Sequence, residues 1–328
     1  MSGLLIANRL CRRQVLCSVM TAAASLACRS SIANTLRRPH NTSIAFSADG
    51  KFVVVGSQAG VEVRQSESLT VLRTIELEMD SIHDVCFSPD GRWLAVAGGF
   101  PGETGEVAWI SWPSGEVDHN VNVHDDVVHQ VVFVPDGSHW ITASADEVCS
   151  VFPWEGKKPI TRYTQHSRGV LGVTVLPDGE TVVSGSRDET LRVWNLRSGE
   201  SIRTLHNHSR DVTAVACQAK DGGLPVVASA SDDLTVRFWQ PTIGRMVRFA
   251  RVPSRPLGMA WTTDGRLAVP CSDGVLRWID PQTVAIVDAQ QATDDWLYCV
   301  ATDHRQDGRV VVGGAYGMVG ELRPKVRS

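Results

Sequence analysis

VTVLPDGETVVSGSRDETLRVWN, from Val173 to Asn195, holds three short apolar runs. Asp178-Gly179 separates the first two, and the third ends at Trp194-Asn195. Asp-Gly between apolar runs is a strong hairpin signal, because glycine takes a positive φ without strain. The stretch therefore predicts three antiparallel strands. A sheet this small has two faces to bury and does not stand alone in water, so its neighbours must cover it.

Working outward, Asp178-Gly179 has counterparts at Asp49-Gly50, Asp90-Gly91, Asp136-Gly137, Asp221-Gly222, Asp264-Gly265 and Asp307-Gly308, spaced 41 to 46 residues apart. Each pair follows a short apolar run such as DVCFS or GMAW. Each is followed by a second run such as RWLAVAGG or RVVVGG, and then a third such as VRFWQ. A less regular fourth run precedes the next unit, as in SIRTLHN. No segment after Asn41 keeps a period of about 3.6 residues, so no substantial helix is expected. Four short strands every ~43 residues predict a β-propeller, in which radial stacking covers both faces of every sheet. The expected fold is all-β, with seven four-stranded antiparallel blades; six or eight blades are the alternatives if weak repeats fail.

The last unit ends soon after its third strand, at GELRPKVRS, while IANTLRRPHN near the start is similar to SIRTLHNHSR, a fourth strand and its following turn. Residues 31–37 are therefore expected to complete the last blade and close the ring. The expected organisation is a leader or basic segment over residues 1–30 and a propeller over 31–328.

The chain resembles the WD40-repeat family over roughly residues 31–328. The resemblance rests on a His before the first strand, a Ser or Thr in the second, an Asp in the next tight turn and a Trp ending the third. His166, Ser184, Asp188 and Trp194 fill these places in one unit, and His208, Ser229, Asp233 and Trp239 in the next. A third unit has His124, Thr142 and Asp146, with Phe152 in place of the Trp. The resemblance implies that these side chains form a hydrogen-bonded chain inside each blade, where His, a hydroxyl and an indole N–H supply what a buried carboxylate needs. Other units depart from the pattern. Gln58 stands where the first unit lacks a turn Asp, GGFPGETGE replaces the tight turn of the second, and Asp273 of the sixth has no His.

The first 33 residues contain no acidic side chain, and Arg12-Arg13 precedes an apolar stretch from Val15 to Ala27. That stretch is long enough for a signal sequence and too short for a bilayer span. RRQVL resembles a twin-arginine export signal, so export is expected, with a cytoplasmic protein as the alternative. The eight cysteines form no CxxC pair and no zinc-ligand spacing, and are expected to be buried free thiols.

With 43% hydrophobic and 21% charged residues the chain is globular, and a net charge of −4 gives no reason to expect nucleic acid as a partner. No GxSxG, HExxH, Walker A or helix-opening GxGxxG occurs. No catalytic residue, metal or cofactor is expected. The family resemblance implies a monomeric, non-catalytic scaffold that binds a protein or peptide through loops on one face. Candidate contacts are His83 and His129 before first strands, turn residues Arg187 and Asp232, and Arg168, Arg210 and Trp296 in the connections between units. The alternative is an enzyme acting on a small substrate at the mouth of the central channel. Acids and histidines lining that channel would favour the enzyme, and an apolar rim with arginines the scaffold.

Overall fold

A computed structural model describes residues 39–218, 223–306 and 308–325. The expected leader and the ring-closing strand at 31–37 lie outside these residues, as does Asp221-Gly222. Within them, six four-stranded sheets and one three-stranded sheet follow one another along the chain, all antiparallel and each in sequence order.

Blade 1 comprises β1 (Asn41–Phe46), β2 (Phe52–Ser57), β3 (Gly60–Gln65) and β4 (Val71–Ile75). Blade 2 comprises β5 (Ser81–Phe87), β6 (Trp93–Phe100), β7 (Thr104–Ser111) and β8 (Val117–His124). Blade 3 has β9 (Val128–Phe133), β10 (His139–Ser144), β11 (Cys149–Pro153) and a very short β12 (Thr161–Tyr163). Blade 4 has β13 (Val170–Val175), β14 (Thr181–Ser186), β15 (Thr190–Asn195) and β16 (Ser201–His206). Blade 5 has β17 (Val212–Cys217), β18 (Val227–Ser231), β19 (Thr235–Gln240) and β20 (Arg245–Arg251). Blade 6 has β21 (Ala260–Trp261), β22 (Leu267–Pro270), β23 (Val275–Ile279) and β24 (Ile286–Gln291). Blade 7 has β25 (Leu297–Thr302), β26 (Val310–Gly314) and β27 (Val319–Leu322). The only helical pieces described are short 3₁₀ turns at Pro241–Ile243 and Ala315–Gly317. No helix of the described residues is long and apolar enough to cross a membrane.

The covering of one blade by the next is visible in the core. One apolar cluster joins Val54 and Val63 of blade 1 to Ile82 and Leu94 of blade 2. Another joins Val151 of blade 3 to Val173 and Trp194 of blade 4. A third joins Leu276 and Trp278 of blade 6 to Val310 of blade 7, and a fourth joins Ile44 and Val53 of blade 1 to Val311 of blade 7. The circle thus closes among the described residues by packing of blade 7 on blade 1. At this seam Asn41 Nδ2 donates to the Met318 carbonyl at 2.6 Å.

The Asp-Gly pairs turn the chain between first and second strands. Gly50, Gly91, Gly137, Gly179 and Gly265 all have φ between +57° and +80°, and their N–H groups donate to the carbonyl three residues back. GGFPGETGE, expected as a longer loop, instead extends the hairpin: Gly99 pairs with Gly105 and Phe100 with Thr104, leaving a short turn at Pro101–Glu103.

Candidate functional site

In three blades the polar chain implied by the resemblance has regular geometry. In blade 4, Trp194 Nε1 donates to Ser184 Oγ at 3.2 Å, and Ser184 Oγ lies 2.8 Å from His166 Nε2. His166 Nδ1 is 2.8 Å from Asp188 Oδ2. Asp188 also accepts the Ser167 N–H and both the N–H and hydroxyl of Thr190. In blade 5, Trp239, Ser229, His208 and Asp233 make the same chain at 2.8, 2.7 and 2.8 Å. In blade 3, Phe152 has no N–H to give; His124 still bridges Thr142 and Asp146, at 2.7 and 2.8 Å. The three imidazoles are fully buried. Burial alone would raise the Asp188 carboxyl, but the His166 and Thr190 hydrogen bonds override it and hold the group well below the usual range. These buried residues brace the loops on one face.

Blade 6 solves the same problem differently. Arg277, buried, grips Asp273 with two nitrogens at 2.9 and 2.5 Å and reaches Ser254 Oγ at 3.3 Å. The Arg277 bonds bring Asp273 down to about 2. Trp278 occupies the third-strand tryptophan place, but its Nε1 has no partner. Its cross-strand register explains why: Pro270 stands where the other blades carry Ser184 or Ser229.

The first strands line the central channel, a cavity of about 300 Å³ whose wall includes His83, Asp84, His129, Gln130, Thr213 and Tyr298. In six of these strands the second or third position is a β-bulge, falling at Thr42, His83, His129, Leu171, Thr213 and Tyr298. A bulge re-aims its side chain, and all of these bulged residues line the channel. His83 and His129, expected just before the first strands, therefore lie inside them. The channel-facing residues other than these two histidines were missed, although the position two residues into each first strand would have located them.

His83 and His129 meet edge to face, with ring centroids 4.9 Å apart. Burial pushes His129 down to about 3, helped by His83 and by the positive charge of Arg187. Burial and the same Arg187 lower His83, against the opposing charge of Asp126. The buried Nε2 of His129 has no partner. The structure thus brings together three expected residues, His83, His129 and Arg187, at the rim of blades 2 to 4.

The channel's carboxylate is already committed. Asp84 accepts the Ser43 hydroxyl of blade 1 at 2.7 Å and the Val131 N–H of blade 3 at 3.1 Å. Similar bonds continue around the inner ring. Val173 N–H donates to Gln130 at 2.7 Å and Cys217 N–H to Thr174 at 3.3 Å. Thr213 reaches the Pro256 carbonyl at 2.9 Å and Thr302 the Trp261 carbonyl at 2.9 Å. No group of three or more metal-ligating side chains converges among the described residues.

Across the channel mouth, blades 5, 6, 7 and 1 present a continuous run of side chains. Asp232 accepts two hydrogen bonds from Arg255, at 2.9 and 2.5 Å. The Arg255 guanidinium lies 5.7 Å above the Trp296 ring. Trp296 packs 5.9 Å from Tyr298, and His40 lies 5.2 Å from Tyr298 and 5.6 Å from Tyr316. Trp296 and Tyr316 remain 40% and 41% exposed, and Tyr316 is held at φ 55°. Of the expected residues, Asp232 and Trp296 join this run through Arg255. Arg168 and Arg210 are exposed in the connections entering blades 4 and 5 and join neither group.

The WD domain, G-beta repeat family matches residues 70–102, 157–195 and 199–240. A stretch of 149 residues is 26% identical to Protein HIR1 of Candida albicans, covering 38% of this chain and 16% of that protein. An uncharacterized WD repeat-containing protein of Synechocystis is 29% identical over 103 residues, 31% of this chain and 28% of its own length. Coronin-7 of Bos taurus is 42% identical over 59 residues, 17% of this chain and 6% of its own length. The chain thus spans less than a third of each of these relatives.

Proposed function

We propose, from the premise that the chain is a WD40-repeat β-propeller, that it is a non-catalytic scaffold holding a protein or peptide partner on the face around the channel mouth. The observation that carries this reading is the run from Asp232 through Arg255, Trp296 and Tyr298 to His40 and Tyr316. It offers a large aromatic surface and a guanidinium on rigid blade ends, the side-chain types that dominate interface energetics. Arg168, Arg187 and Arg210 lie in turns of the same face beside Asp125, Asp126, Asp211, Asp294 and Asp295, so the charge there is mixed and suits a partner segment of mixed charge.

A second reading, chemistry on a small substrate at the channel mouth, draws on the unpartnered imidazole nitrogen of His129 beside His83. Against it stands the role of Asp84, the carboxylate of the channel wall, which accepts from Ser43 and Val131 and ties three inner strands together.

A pull-down with wild type, Arg255→Glu/Trp296→Ala and Arg92→Glu tests the scaffold reading. Arg92 is exposed in the Asp90-Gly91 turn, at the opposite end of its blade. The expected result is a bound protein that survives Arg92→Glu and disappears with the rim variant. Equal capture by all three proteins would end the reading.

A further inference from the structure

Away from the channel, blades 2 and 3 share an aromatic pocket of about 190 Å³ lined by Trp93, Trp109, Trp140, Trp154, His119 and the acidic Asp118 and Glu155, with Lys157 at its edge. Its origin is local. The fourth strand of blade 3 pairs only with Cys149, Ser150 and Val151, so the rest of β11 has no outer neighbour. The segment WEGKKPI swings out in place of a longer strand. The outer ends of Trp93 and Trp154 are left half-buried, and β8 of blade 2 supplies Asp118 and His119 from the other side.

The indoles meet at steep angles. Trp109 and Trp154 stand at 90° with centroids 5.2 Å apart, Trp109 and Trp140 at 76°, and Trp93 and Trp154 at 58°. These contacts bury Trp109 and Trp140 almost completely at the back of the pocket, so its open indole surface is that of Trp93 and Trp154. Indole faces attract a cation, and most strongly one with little hydration to lose. The two carboxylates outnumber the one lysine at the rim. Asp118 is hydrogen-bonded to His119 at 2.6 Å, and both side chains remain accessible.

We propose that this pocket binds a quaternary ammonium group. A trimethylammonium head matches the walls in both respects: its methyl groups fill an apolar cavity, and its charge meets indole faces and two carboxylates. A primary ammonium would surrender much more hydration on entry, and a neutral group of the same shape would gain nothing from the charges. The site is separate from the channel face, so it stands or falls independently of the scaffold reading.

Calorimetric titration of the full chain tests it with four probes: choline, its uncharged carbon isostere 3,3-dimethylbutanol, and a short peptide carrying either trimethyllysine or lysine. Choline or the trimethyllysine peptide should bind at least tenfold more tightly than its uncharged or unmethylated counterpart, and the arm that binds better identifies the molecule carrying the group. Trp154→Leu keeps the wall apolar but removes its indole face, and should weaken the charged ligand about tenfold more than it weakens the isostere. Asp118→Asn/Glu155→Gln, both at exposed positions, should weaken it severalfold, and Lys157→Glu should tighten it. Thermal melts confirm that each variant is folded. Equal binding of choline and its isostere, no binding of either methylated probe, or an unaltered affinity in folded Trp154→Leu would overturn the proposal.

Discussion

The carboxylate of Asp84 accepts the hydroxyl of Ser43 across the boundary between blades 1 and 2, at 2.7 Å. Its other oxygen accepts the Val131 N–H of blade 3, so one side chain ties three consecutive inner strands. Burial pushes this carboxyl up to about 6, and the Ser43, Val131 and Val85 hydrogen bonds only partly offset it.

That shift sets a pH dependence with a definite sign. Below about pH 4 the group is protonated in both folded and unfolded chains. Between about 4 and 6 the unfolded chain ionises first, so the folded state binds more protons and its stability falls as pH rises. A two-unit shift corresponds to about 3 kcal/mol, and the partly exposed, channel-facing position reduces this to about 1–2 kcal/mol. Asp84→Asn removes the titration and retains an oxygen for Val131. The variant's melting temperature should therefore gain on wild type between pH 4 and pH 7. A difference that stays constant over that range would contradict the account.

Asp188 has the opposite sign. Its carboxyl lies below the usual range because the His166 and Thr190 bonds override burial. The stability it contributes is present above about pH 4 and is lost as pH falls further. Asp188→Ala should cost about 1–3 kcal/mol at pH 7, because His166 Nδ1 and the Thr190 hydroxyl lose their acceptor. Chemical denaturation at pH 7 checks this, and an unchanged midpoint would show that the chain of bonds in blade 4 adds nothing to stability.

The blade count and strand order were legible because Asp-Gly turns recur wherever a first strand must reverse, and glycine alone takes that φ without cost. His166, Ser184, Asp188 and Trp194 were legible through the family resemblance, because all four lie within one repeat unit. The rim was only partly legible. Asp232 and Trp296 announce themselves by type and loop position. Their connection runs through Arg255, which is distant in sequence from both and meets them only when blades 5, 6 and 7 are stacked. Asp84 was invisible for a related reason: its partners Ser43 and Val131 lie 41 and 47 residues away. Arg277 shows the limit of motif reading, since it meets the carboxylate's need from the third strand of its blade, whereas the pattern's histidine stands before the first.

The five cysteines of the described residues are free thiols, with Cys149, Cys271 and Cys299 buried. Burial pushes Cys86 and Cys299 up to about 12 and Cys217 up to about 11. Thiolate is the reactive form, so these residues should be inert while the blades are packed. Ellman's reagent at pH 8 should label them in denaturant at least a hundredfold faster than in the native protein. Mass spectrometry of the peptides carrying Cys86, Cys217 and Cys299 reads the result, and rapid native labelling of the buried Cys299 would show that the channel wall opens readily.

Trp194 and Trp278 occupy equivalent third-strand places with different hydrogen bonding. Trp194 Nε1 donates to Ser184, whereas the Nε1 of Trp278 is buried without a partner beside Pro270. Replacing either by Phe removes a similar volume from a fully buried site. In blade 4 the change also deletes a hydrogen bond, while in blade 6 it removes an unsatisfied donor whose burial costs about 1–3 kcal/mol. Trp194→Phe should therefore destabilise the protein by about 1–3 kcal/mol more than Trp278→Phe, measured by urea unfolding of both variants beside wild type. Equal losses would mean that cavity formation alone governs both sites, and that Ser184 takes no net benefit from its indole partner.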